Sequence, residues 1–256
     1  MRALVSAGLS VILMALPMST PAQAKAQTAT ESHMPAAREL AELVNTATTL
    51  EMQVNKMLAG MAGHAFTADP SMAALGEEYP GVDKVFVETL RPLIMDELTR
   101  IMPEYIETTA AFFARHYTPS EVGELLSFWR SPTGRALLQS VSGNLDYASI
   151  SKEAVDQLQE SDTVDVSGEA MAKDRRRAAV AGLRELTPEQ RKAVMRFGMT
   201  PIGRKMARLA PEKNELERQW ANREPSAELM ARIEEDVSQA VIAFIEAEDR
   251  KRAAAQ

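Results

Sequence analysis

Apolar residues return every third or fourth position along most of the 256-residue chain, and proline, glycine and short polar residues make the interruptions. That spacing is the signature of amphipathic α-helix. Leu40, Leu43, Val44, Ala47, Leu50, Val54, Met57, Leu58 and Met61 form a first stripe. It predicts a helix over 36–60, closed by Gly60 and Gly63. Residues 64–82 carry Pro70, Gly76, Pro80 and Gly81 and predict a loop with at most one short turn of helix. A second stripe, including Phe86, Leu90, Leu93, Ile101, Ile106 and Phe113, predicts a helix over 83–116, kinked or broken at Pro92 and Pro103. Residues 168–185 read as a helix thin in large apolar side chains. Pro211 and the stretch 222–226 punctuate the chain before a last amphipathic helix over 226–250, built on Leu229, Ile233, Val237, Val241 and Ile245. The tail 251–256 is expected to fray. Nothing reads as a strand, and the dominant Ala, Leu, Glu, Arg and Met are helix formers, so the expected fold class is all-α.

One stretch occurs twice. TPSEVGELLSFWRSPTGR (118–135) aligns without a gap on TPEQRKAVMRFGMTPIGR (187–204) at an offset of 69. Thr118 matches Thr187, Phe128 matches Phe197, and Pro132, Gly134 and Arg135 match Pro201, Gly203 and Arg204. Each copy starts a helix with Thr-Pro and an acid or amide three residues on, Glu121 or Gln190, which is a capping box with proline in the favoured first position. Each copy then stops that helix with Ser131-Pro132 or Thr200-Pro201, since the residue before proline avoids the α region, and caps a new helix in a new direction. Two such caps contribute about 1 kcal/mol each. The aromatic at Trp129 becomes Gly198 in the second copy. The predicted architecture is a helical bundle built from a duplicated unit of helix, capped turn, short helix, capped turn and helix. A first unit spans 36–160, a degenerate second unit spans 161–250, and a polar hinge at 159–168 joins them. One unit cannot bury its apolar faces alone, so two are expected to pack together.

Composition sets the location. Arg2, an apolar run to Met18 and the Ala22-Gln23-Ala24 site predict a signal peptide over 1–24, cleaved after Ala24, with a disordered leader over 25–35. No cysteine is present, which excludes a lipoprotein anchor, a disulfide framework and thiolate metal sites. No later segment approaches the length of a membrane span. The expectation is a periplasmic protein without a transmembrane segment after signal removal. The net charge of −7 and a pI near 5.2 argue against nucleic-acid partners. The one dense basic run, KDRRR at 173–177, reads as a solvated helix face.

Candidate chemistry is sparse. His33, His64 and His116 are scattered and fit no metal-ligand spacing, and no nucleophile elbow, phosphate loop or dinucleotide fingerprint occurs. His116 reads as a helix-end residue, and adjacent carboxylates such as 77–78 and 234–235 as solvated faces. No catalytic residue, metal ligand or cofactor is assigned. Arg135 and Arg204 stand in the first turn of their helices, where the helix dipole disfavours a cation. Either a salt bridge to Glu121 or Glu124 compensates, or the arginine and helix N-terminus hold an anion. Met52, Met57 and Met61, with Met95, Met102 and Met171, are either ordinary core or an adaptable apolar groove.

HYTPSEVGELLSFWRSPTGRAL (116–137) resembles the core of a family of exported bacterial proteins known as domain of unknown function 2059. The shared pattern is an aromatic-Thr pair, an acidic helix start and Phe-Tyr-x-Ser-Pro-x-Gly. Here these fall on Tyr117-Thr118, Glu121, Phe128-Trp129, Ser131-Pro132 and Gly134, with Trp129 in place of the usual tyrosine. The looser likeness covers 36–160, while Gly198 and Thr200 depart from it in the second copy. The resemblance implies a periplasmic all-helical domain and carries no activity. The expected function is a non-enzymatic interaction or scaffold module that binds another envelope protein. A periplasmic chaperone-like binder of apolar segments is the second reading, and a hydrolase a distant third.

Overall fold

A computed structural model describes residues 21–45, 50–160 and 164–256. The proposed signal sequence up to residue 20 lies outside the described residues. Among the described residues the chain is all-α, with eleven helices and no strand. They are α1 (Pro21–Asn45), α2 (Leu50–Ala68), α3 (Pro70–Glu78), α4 (Val82–His116), α5 (Pro119–Arg130), α6 (Pro132–Gly143), α7 (Ala148–Glu160), α8 (Gly168–Glu185), α9 (Pro188–Met199), α10 (Pro201–Ala221) and α11 (Ala227–Ala254).

The 35-residue α4 is the spine, about 52 Å long at 1.5 Å per residue. It is helical throughout, although Pro92 and Pro103 lie inside it, so the expected break is corrected. Each proline removes a backbone donor, at roughly 3 kcal/mol. Leu90 and Leu93 beside the first, and Ile101 and Ile106 around the second, are buried against neighbouring helices, which offsets that cost. The C-terminal half of α4 packs with α1, α5 and α10 in a core of Leu40, Phe112, Val122, Leu125 and Ile202. Its N-terminal half packs with α2, α3 and α11 in a second core of Val54, Val82, Leu93, Ile233 and Val241. A third, small core of Ala154, Val164, Val166 and Met171 lies between α7 and α8.

Several sequence expectations change. The helix expected over 36–60 is two helices, and Gly60 and Gly63 lie inside α2. Gly60 is an approach point: a Cβ there would sit 2.9 Å from Ser151 Oγ on α7. The expected loop over 64–82 contains α3, started by Asp69 accepting from the amides of Ser71 (2.8 Å) and Met72 (3.0 Å), with Pro70 in the first position. Pro211 lies within α10 rather than ending it. The leader expected to be disordered over 25–35 falls within α1. At its end His33 is buried, its Nε2 3.1 Å from the carbonyl oxygens of both Ala114 and Tyr117. The tail expected to fray from 251 remains helical to Ala254. Arg252 lies 4.8 Å from the centre of the Tyr79 ring and donates to the Glu78 carbonyl, which ties the C-terminus to the end of α3.

The hinge expected at 159–168 is also tied down. Val164 and Val166 are buried, and the buried Asn222 at the end of α10 grips the chain between them. Its Oδ1 accepts from the Val166 amide (2.8 Å), and its Nδ2 donates to the Val166 carbonyl (3.0 Å) and to Asp165 (2.6 Å). The two units are therefore not two packing bodies. α11 from the second unit completes the core of α2 and α4, and Ile202 of α10 enters the core of α1 and α5.

Candidate interaction surface

Both repeats form the same corner. Thr118 Oγ1 accepts from the Glu121 amide (3.3 Å) while Glu121 Oε2 accepts from the Thr118 amide (2.8 Å). Thr187 and Gln190 repeat this pair at 3.2 and 2.9 Å. At the second turn, Ser131 Oγ accepts from the Gly134 amide (3.0 Å) and donates to the Phe128 carbonyl (2.6 Å). Thr200 Oγ1 does the same to Gly203 (3.1 Å) and Phe197 (2.6 Å). A Cβ on Gly134 would lie 2.2 Å from the Phe128 carbonyl oxygen and 2.7 Å from the Trp129 Cα. One on Gly203 would lie 2.2 Å from the Phe197 carbonyl oxygen. The glycines thus admit the preceding helix end, not a separate helix.

The salt bridge expected from Arg135 or Arg204 to Glu121 or Glu124 does not form. Arg135 Nη1 donates to the Arg130 carbonyl, and Arg204 Nη1 donates to the Met199 carbonyl at 2.8 Å. Each arginine reaches back five residues and satisfies a carbonyl orphaned at the end of the preceding helix. Glu121 instead pairs across to the second unit, accepting from Lys205 Nζ at 2.6 and 2.8 Å. Burial acts to raise the Glu121 pKa, but the hydrogen bonds from Lys205 and Thr118 together bring it below the ordinary value. Lys205 also lies 5.1 Å from the centre of the Tyr117 ring, and burial pushes that phenol up to about 12.

The two corners meet at equivalent residues. Phe128 and Phe197 stack with centroids 3.7 Å apart and planes 8° from parallel, and Trp129 meets Phe197 edge-on at 6.5 Å. Pro132 and Pro201 open α6 and α10, which lead away from this stack.

A polar cluster missed in the sequence joins α4, α8 and α10. Lys213 Nζ lies 2.5 Å from Glu217 and 3.4 Å from the Tyr105 hydroxyl, and Arg175 pairs with Glu217 and Asn214. Trp220 packs on the Tyr105 ring at 4.5 Å. Burial lowers the Lys213 pKa, with Glu217 opposing it, and burial raises that of Tyr105. The basic run at 173–177 is thus only partly solvated. Arg175 serves this cluster, and Arg177 bonds Asp146 (2.9 Å) and Asp174. Asp174, buried within that run, accepts from the amides of Ser149 (2.9 Å) and Ile150 (3.1 Å) and so caps α7. The i, i+3 and i, i+4 spacing of charges could have pointed to these local pairs, but the partners on other helices leave no sequence signal.

The remaining candidates are dispersed. His64 lies 3.3 Å from Asp156, and His116 lies 2.8 Å from Glu212 while packing on Phe112 at 4.6 Å. Among the described residues no three of His, Asp and Glu gather as a metal site would require. Met95, Met102 and Met171 pack against three different cores, so these three share no single groove. No described helix is long and apolar enough to cross a membrane.

The exposed apolar side chains on α9 were not singled out by the sequence. No residue of this helix is buried, and Met195 and Met199 are 65% and 66% exposed. Lys192 and Arg196 lie beside them and make no ion pair among the described residues. From 188 to 211 the chain holds Arg191, Lys192, Arg196, Arg204, Lys205 and Arg208 against the single acid Glu189, although the whole chain is acidic.

No protein-family model, curated protein or solved structure matches the chain.

Proposed function

We propose that this chain is a non-enzymatic interaction or scaffold module of the bacterial cell envelope, exported by a signal peptide cleaved after Ala24 and related to the domain of unknown function 2059 proteins. The observation that carries the interaction reading is α9. It presents two large exposed apolar side chains inside a basic stretch of an acidic protein. Buried and half-buried polar groups between the helices support the same reading. Asp174, Asn222, Lys213 and Glu217 are all engaged in holding helices together. Catalysis would need groups of unequal environment converging on an open cleft. The export reading rests on the N-terminal sequence, and cleavage after Ala24 leaves His33 and its contacts on the mature chain.

Two measurements test this. The intact mass from a periplasmic fraction should correspond to a chain beginning at Lys25, and an uncleaved cytoplasmic chain would contradict export. Photo-crosslinking in living cells from Ser127, Lys192 and Gln239 should trap one dominant envelope protein. Many unrelated exported proteins would replace this reading by the chaperone-like one, and no adduct from any position would overturn it.

A further inference from the structure

We propose that the outer face of α9, centred on Val194, Met195 and Gly198, is the docking site for an acidic amphipathic helix of a partner protein. The inference deepens the interaction-module reading and rests on it. The first repeat shows what such a face binds. In α5 the equivalent positions are Leu125, Leu126 and Trp129, at the offset of 69. Leu125 and Leu126 are 1% and 6% exposed, because α1 lies across them with Leu40 and Ala41 fully buried. The covering helix also carries Glu39, which pairs with Arg130 at the end of α5. In the second repeat α9 has the same caps and the same stacked phenylalanine, but no described helix takes the place of α1.

Two features of α9 fit a missing helix of that kind. Gly198 stands where α5 has Trp129, and a Cβ on it would meet nothing within 4 Å. Nothing within the chain requires glycine there, whereas a second backbone crossing α9 could come close only over such a position. Lys192 and Arg196 flank the methionines without a partner among the described residues, so carboxylates on the incoming helix would complement them. An amphipathic helix laid in a groove is read through anchors at this spacing. Two methionines beside a notch suit a helix better than the broad apolar face by which interfacial helices enter lipid.

The probe is a fluorescent peptide of residues 33–45 carrying Arg38→Glu. This gives an acidic helix with the α1 contact face, since Arg38 itself pairs with Glu107 on α4 rather than with α5. Fluorescence anisotropy with the full mature chain should show saturable binding that weakens with salt. Met195→Glu should fold normally, as the side chain is exposed, and should weaken binding at least tenfold. Val180→Glu, at an exposed apolar position on α8, should leave binding unchanged. Three results would overturn the proposal. The first is peptide binding indifferent to Met195→Glu. The second is a wild-type dimer in sedimentation that Met195→Glu makes monomeric, which would assign the face to a second copy. The third is binding to phosphatidylglycerol vesicles, lost in Lys192→Glu/Arg196→Glu, with no peptide binding, which would assign it to a membrane. Cellular adducts from Ser127 or Gln239 that persist through any of these would leave the module reading standing and the α9 site refuted.

Discussion

At the scale of single residues, the corner explains side chains that composition could not. Gly134 and Gly203 are legible in the sequence as repeated, but their reason is the carbonyl at 2.2 Å, which only the folded turn reveals. Gly134→Ala should cost about 3 kcal/mol, since backbone cannot move aside as a flexible side chain can. Chemical denaturation of the variant checks it. The arginines were legible as anomalies in a helix first turn, yet their partners are backbone carbonyls, which leave no mark in a sequence. Arg204→Leu should cost roughly 0.5–1.5 kcal/mol, as one hydrogen bond to an orphan carbonyl is lost. Glu121 carries a cap and an ion pair at once, and Gln190 shows that an amide serves the cap alone. Glu121→Gln should therefore keep the corner and lose only the Lys205 contact, at about 1 kcal/mol at pH 7. Because the folded pKa is lowered, the wild-type advantage should be full above the ordinary value of 4.5 and vanish as pH falls through and below it. Urea titrations of both proteins across that range test the sign. An advantage that grows on acidification would contradict the assignment.

At the scale of elements, helix starts were readable wherever a capping residue preceded proline. Thr118, Ser131, Thr187 and Thr200 mark them in both repeats, and Asp69-Pro70 marks α3 in the same chemical language although the surrounding glycines and prolines obscured it. Helix interiors were less legible. Proline and glycine inside α4, α2 and α10 read as breakers because local propensity is all a sequence window holds. Tertiary burial of Leu93, Ile101 and Val54 then overrides it. The unequal cover of α5 and α9 gives a sharp contrast. Leu126→Ala should destabilise by about 3 kcal/mol as a buried leucine lost from a packed core. Met195→Ala, at the equivalent position, should stay within about 0.5 kcal/mol. Thermal melts of the pair check this directly. Similar losses would mean that α9 is covered as α5 is.

At the scale of the whole molecule, the repeat was legible but its consequence was not. Two copies suggested two units. The chain instead threads α11 back along the N-terminal half of α4 and clamps its linker on Asn222, so the halves share their cores. Contacts across more than fifty residues of chain, such as Val166 with Asn222 or Glu121 with Lys205, depend on topology and cannot be read from periodicity. Asn222→Ala should free the linker and cost about 2 kcal/mol, from the unsatisfied amide and carbonyl of buried Val166. Faster hydrogen exchange confined to the linker and the adjoining ends of α7 and α8 would mark the loss.

The measurement that bears most directly on the proposed function is the in-cell adduct formed by a photo-crosslinker at Lys192, compared between the wild-type background and Met195→Glu. The account predicts one dominant adduct in the first and its loss in the second, with protein level unchanged. An adduct that survives Met195→Glu, or none in either background, would contradict a partner helix seated on α9.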